Sequence, residues 1–185
     1  ERKRFQEAFN FLLVMESIYE TFQADIPTHI QISYQYLFAY VYLANGVFDR
    51  SLKHANIIIN EFSDKERPDF HAFARLLSLI LHFEMEHMRI LPYQLDATRR
   101  YLKSRNRQYG MEDLLMKFIR KVISKPFEEK KIVKRYLTKA KSLFEDKYEA
   151  RGQYFLDIEH YLHAKSQGIS MAELAPIPSP SLPTY

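Results

Sequence analysis

Apolar residues recur at helical spacing along almost the whole chain, while glycine occurs only at positions 46, 110, 152 and 168. Residues three and four apart share one face of a helix, so a chain patterned this way must bury those faces against other helices. The first stripe holds Phe5, Phe9, Leu12, Leu13, Ile18, Tyr19 and Phe22, and the helix is expected to run to about Gln23. "DIPTH" breaks the pattern at Pro27, and "IQISYQYLFAYVYLA" resumes it with apolar residues on nearly every face until Gly46. A third segment covers residues 48–62. Pro68 then suits the first turn of a fourth helix, which is apolar around most of its circumference and is expected to be the central buried one. A fifth opens near Pro92 and stops at "NRQYG". Beyond Gly110 the stripes narrow: Leu114, Leu115, Phe118, Ile119, Val122 and Ile123 face one way, with Lys117, Arg120 and Lys121 opposite. Pro126 separates this helix from a long one carrying Ile132, Val133, Tyr136, Leu137, Ala140, Leu143 and Phe144. A last segment places Tyr154, Phe155, Ile158, Tyr161 and Leu162 on a single face. No run alternates with period two for long enough to make a sheet. The expected fold is all-α, about eight helices joined by short connections into antiparallel hairpins.

The 46% apolar content, with 14 Phe and 13 Tyr, can build one substantial core for a domain of residues 1–167. From Gly168 the character changes, and "PIPSPSLPTY" carries four of the 8 prolines, so residues 168–185 read as a tail. An extended tail of this kind is expected to dock, with residues 177–185 lying in a groove of the same or a neighbouring molecule and offering a route to self-association. The chain has no cysteine, which removes disulfides, thiolate metal clusters and cysteine nucleophiles and suits a reducing, cytoplasmic setting. No apolar run approaches the roughly 20 residues that cross a bilayer. The first residue is Glu1 rather than Met, so a natural start is expected upstream.

Gly46 sits in "YLFAYVYLANGVFDRSLKHA", residues 36–55. This stretch resembles a tetratricopeptide repeat, about 34 residues in which two helices meet at a tight turn that wants a small residue and a left-handed backbone. Phe38, Ala39 and Tyr42 stand where the first helix offers its packing residues, and Ser51 and Ala55 supply small positions on the second. Ile58 occupies a place where the family prefers a small residue. The next hairpin looks like the same unit stretched, with Glu86 in "HFEMEHMRIL" where the turn glycine would be. Residues 74–122 in turn resemble the C-terminal part of large bacterial proteins built from tetratricopeptide-like repeats. That resemblance implies a right-handed α-solenoid, further repeats upstream, and no catalytic residues to carry over. It also implies a concave face, made by alternate helices, of the kind such scaffolds use to bind extended peptides.

Known chemistries find little support. Phosphate cradles need clustered glycines, and here all four are isolated. No "GxSxG" elbow occurs. His82 and His87 in "HFEMEH" lie five apart, about 140° around a helix, and read as packing or rim residues rather than a metal pair. Asp157, His160 and His163 share a face but give too few ligands for a closed site. Glu84 and Glu86 diverge. The expectation is a non-enzyme with no cofactor and no metal.

Charge is more informative. Residues 89–141 hold 16 Lys or Arg against 5 Asp or Glu, while both flanks are net acidic. Arg99, Arg100, Lys103, Arg105, Arg107, Lys117, Arg120, Lys121, Lys130 and Lys134 are the candidate partner-binding residues, with Lys131 and Arg135 beside them. A solvated outer face is the plain reading of such charges. A protein or peptide partner of acidic character is the sharper one, and a nucleic-acid-associated regulatory domain using the surface of residues 99–135 is the alternative.

Overall fold

The computed structural model describes residues 4–107 and 109–174, and among them it is all-helical, with no strand. Eight α-helices follow one another: α1 (Phe5–Phe22), α2 (Thr28–Ala44), α3 (Phe48–Glu61), α4 (Pro68–Glu84), α5 (Leu91–Ser104), α6 (Gly110–Ser124), α7 (Glu129–Leu143) and α8 (Ile158–Gln167). Short 3-10 turns precede α2 (Gln23–Asp25), α7 (Pro126–Glu128) and α8 (Glu149–Tyr154). The prolines fall where a missing N–H costs least. Pro68 and Pro92 lie in the first turns of α4 and α5, and Pro126 opens the turn before α7.

Consecutive helices pack as hairpins, α2 on α3, α3 on α4, α4 on α5, α6 on α7 and α7 on α8, and α2 also meets α4. The expected central helix is α4, in which every residue from Phe70 to Phe83 except Arg75 is buried. Four helix ends close in the same way. The residue after the last turn takes a left-handed backbone, and the next N–H reaches five residues back to a carbonyl of that last turn. Val47 bonds Tyr42, His87 bonds His82, Arg107 bonds Leu102 and Ile169 bonds Ala164, around Gly46 (φ +75°), Glu86 (+56°), Asn106 (+51°) and Gly168 (+72°). At Gly46 a side chain would meet no atom within 4 Å, so the backbone conformation alone asks for glycine. Gly110 answers to space instead: a Cβ there would lie 2.8 Å from Leu143 Cδ1 and 3.0 Å from Glu149 Oε1.

The end of the chain departs from an open stack, in which each unit touches only its neighbours. Residues 155–174 lie back across α2 and α4. The Tyr36 hydroxyl donates to Phe155 O (2.9 Å), Asp157 N–H donates to the Tyr40 hydroxyl (3.2 Å), and Ala172 N–H donates to Ala44 O (2.9 Å). Phe155 stacks on Phe73 with ring centroids 4.7 Å apart, and Phe5 of α1 meets His160. Leu156, Ile158 and Leu162 are fully buried, each contributing about 1.5–3 kcal/mol of apolar burial. The face of α2 and α4 that the repeat pattern would leave to a peptide is therefore occupied by the chain itself. The proline-rich residues 177–185 lie outside the described residues.

Two local expectations change. Tyr154 is exposed and belongs to the 3-10 turn rather than to the buried face of the last helix, because α8 begins only at Ile158. The α1 stripe is wider than the neighbour it meets: Phe5, Leu12 and Tyr19 are buried, while Leu13, Ile18 and Phe22 stay exposed.

Candidate functional site

The basic residues of α5, α6 and α7 point outward from different faces, because the buried stripe of each helix fixes where its opposite side looks. α5 buries Leu91, Leu95, Thr98 and Leu102, which turns Arg99, Arg100 and Lys103 to solvent. α6 buries Met111, Leu114, Leu115, Phe118, Ile119 and Val122, which leaves Lys117 and Arg120 exposed and Lys121 half-exposed. Three of these cations meet. Arg99, Lys117 and Arg120 line one cleft of about 430 Å³ between α5 and α6, together with Asp113, Met116 and the exposed ring of Tyr109. Lys117 pairs with Asp113 at 2.6 Å, and Arg120 is 3.9 Å from Asp96. Both pairs are solvent-exposed and screened by water, so an incoming carboxylate exchanges with them at little cost. Arg99 has no carboxylate within salt-bridge reach among the described residues.

The other candidates do not join this cleft. Arg105 bridges to Asp64, and its guanidinium lies 5.1 Å from the Tyr101 ring. Arg107 turns inward, its Nε donating to Glu112 Oε1 (2.8 Å) and its guanidinium lying 4.6 Å from the Phe73 ring. Glu112 is fully buried, and burial raises its carboxyl pKa against the pull of Arg107 and of the Tyr109 N–H that donates to its other oxygen (3.0 Å). Arg107 is thereby committed to holding the start of α6. That start is closed by a second carboxylate, Glu149, which accepts the N–H groups of Gly110 (2.9 Å) and Met111 (3.2 Å).

Lys130 and Lys134 stand on a second cleft of about 700 Å³, bounded by the ends of α2 and α4, the first half of α7, and α8. Its floor is an ion cluster assembled from residues far apart in sequence. Lys165 reaches Glu84 at 3.0 Å and Glu129 at 3.3 Å and lies 4.5 Å from the Phe83 ring, while the Tyr161 hydroxyl donates to Glu84. Burial and the Glu84 carboxylate push the Tyr161 hydroxyl pKa well above its usual value, so it stays a protonated donor. Sequence spacing gave no sign of this cluster, since the Glu84–Lys165 contact spans 81 residues.

The histidines also rearrange. His82 and His87 do meet, Nδ1 to Nδ1 at 3.0 Å, because α4 ends at Glu84 and the left-handed turn at Glu86 folds the chain back; the 140° of a continuous helix does not apply. One ring donates to the other, and burial together with the His87 neighbour lowers the His82 pKa. Asp157 caps α8 by accepting the His160 N–H (2.9 Å), and the His160 ring donates to Met171 O (2.8 Å), so this pair serves the fold. Among the described residues no group of three or more His, Asp or Glu side chains is placed to hold a metal ion. None of the helices among them is long and apolar enough to cross a membrane.

No protein-family model, curated protein or solved structure matches the chain.

Proposed function

We propose that the chain is a non-catalytic interaction scaffold, a tetratricopeptide-like stack of hairpins that binds an acidic segment of a partner protein through the α5–α6 cleft. The observation that carries this reading is the convergence of Arg99, Lys117 and Arg120 around the exposed Tyr109 ring. Two planar guanidinia suit bidentate capture of carboxylates, and the ring adds apolar contact beside them. Because α8 and the residues after it cover α2 and α4, partner binding falls to the basic outer side rather than to the inner face.

The test is fluorescence anisotropy of a labelled glutamate-rich peptide, a neutral peptide of equal length and a random-sequence DNA, each titrated with the chain at several salt concentrations. The acidic peptide is expected to bind best, and the pair of changes Arg99→Glu and Arg120→Glu to weaken it at least about tenfold. DNA binding tighter than the peptide, with a steep dependence on log salt, would replace this reading with the nucleic-acid one. Unchanged peptide binding in the reversed-charge variant would remove the cleft from the account.

A further inference from the structure

α1 packs chiefly on α2. Its far side leaves Phe11, Val14, Ile18 and Phe22 exposed by 69, 58, 48 and 55%. At 100° per residue these four lie within about 80° of one another, so they form one apolar strip rather than scattered contacts. α2 adds Leu37 and Ile30, which are also exposed.

Both sets lie on the same flank. On α1, Phe9 and Glu16 mark the side toward α3, since Phe9 meets Tyr42 edge-on and Glu16 accepts from His54 of α3 (2.8 Å). The apolar strip lies on the opposite side of Tyr19. On α2, Gln35 and Tyr42 face α3, while Ile30 and Leu37 lie on the opposite side of Tyr34, the residue that Tyr19 touches. The strip and the two α2 residues therefore make the walls of one groove running along the α1–α2 hairpin, away from α3. Further along the stack the equivalent seat is filled: α2 lies against both α3 and α4. Between α1 and α2 the walls are present, and among the described residues no helix sits on them.

We propose that a second copy of this chain fills the groove, its α1 running antiparallel to the first across a two-fold axis. The strip is self-complementary in that arrangement. With the axis between Val14 and Met15, Phe11 of each copy faces Ile18 of the other. Arg4, which pairs with Glu7 of its own helix (2.9 Å), lies about 16 Å from that midpoint at 1.5 Å per residue, and Asp25, in the 3-10 turn after α1 with its rise of about 2 Å, lies about 17 Å from it, so the Arg4–Glu7 pair of one copy and Asp25 of the other meet at each rim. Opposite charges at both rims and an apolar centre are what a two-fold interface asks of one surface. From the exposed fractions and residue surfaces of about 150–250 Å², the six apolar residues offer roughly 500–600 Å² per copy. Fully covered, these residues bury about 1,000–1,200 Å² in the pair, which reaches the lower bound for a specific interface.

Sedimentation equilibrium of the full chain across about 1–100 μM tests this. A concentration-dependent dimer is expected. Ile18→Glu, at a half-exposed position, should raise the dissociation constant at least about 100-fold with helical circular dichroism unchanged, because it places two unpaired charges in the interface. Arg4→Glu and Asp25→Arg should each weaken the dimer about tenfold, and the two together should restore it. A monomer throughout the range, a dimer indifferent to Ile18→Glu, or a double swap no better than the singles would each overturn the proposal.

Discussion

The left-handed helix ends allow one torsion to be tested in opposite directions. Gly46 and Glu86 hold nearly the same φ, +75° and +56°, and close their turns with the same backbone bond, Val47 to Tyr42 and His87 to His82, both at 2.9 Å. A residue with a Cβ loses about 1–2 kcal/mol in this region, partly offset by the 0.4–1 kcal/mol by which it restricts the unfolded chain relative to glycine. At Gly46 an added Cβ meets nothing within 4 Å, so sterics contribute nothing further. Gly46→Ala should therefore cost about 1 kcal/mol, and Glu86→Gly, at an exposed position, should gain about as much. In a domain of this size each change shifts Tm by about 2–4 °C. Gly46→Asn should recover most of the loss, since asparagine tolerates the left-handed region. Urea unfolding of the four proteins reads all three values. If Gly46→Ala is neutral, or if Glu86→Gly destabilises, the conformational argument fails and the turns owe their form to packing.

Glu149→Ala removes the acceptor of two N–H groups at the start of α6 and should cost about 2 kcal/mol, with Glu149→Gln losing less because it keeps an oxygen there; a loss below about 0.5 kcal/mol for the alanine variant would show that solvent caps the helix as well. Acid should destabilise the fold through His54, His71 and His82. Burial, the first cause in each case, lowers all three pKa values in the folded chain, so their contribution is present above the unfolded value near 6.5 and is lost as pH falls through the folded values. With up to three extra protons bound by the unfolded chain, the slope of unfolding free energy approaches at most about 4 kcal/mol per pH unit, opposed at the acid end by the raised carboxyls of Glu112 and Glu159. Urea midpoints between about pH 7.5 and 5.5 measure it, and His71→Phe, which removes a fully buried ring with neither nitrogen hydrogen-bonded, should flatten it; stability unchanged on acidification would contradict the assignment. Glu16→Leu should weaken the hold of α1, because its carboxylate accepts from both the Tyr42 hydroxyl (2.5 Å) and His54; proteolysis within residues 5–22 should speed up, and an unchanged cleavage rate would show that apolar contact alone seats the helix.

Helix identity was legible because its signals are local. The apolar period, with breaks at Pro27, Gly46, Pro68, Pro92, Gly110 and Pro126, placed the first seven helices to within a few residues, while the last was read from Tyr154 and begins at Ile158. What spacing could not carry was the direction in which the end of the chain turns. Phe155, Ile158, Tyr161 and Leu162 read as the single face of a terminal helix, and nothing local says that this segment would cross back to Tyr36 and Tyr40 rather than close the far end. The basic segment was visible as a density of charge, but its orientation depends on which side of each helix is buried. That is how Arg107 came to hold Glu112 while Arg99 reached the cleft. The contact between His82 and His87 was missed for a related reason, since the angle between them assumed a continuous helix and α4 stops at Glu84.

The return of residues 155–174 across α2 also sets the order of events on the ribosome. Tyr36 and its partner Phe155 are separated by 119 residues, and at about 5–20 residues per second their meeting waits roughly 6–24 s after Tyr36 is polymerised. Once Phe73 is made, and until residue 155 follows, Tyr36, Tyr40, Phe70 and Phe73 present a wide aromatic surface, because the segment that covers it does not yet exist. A nascent chain stalled or truncated before residue 155 would carry this surface exposed, and it is the form of the protein most prone to capture by chaperones or to aggregation.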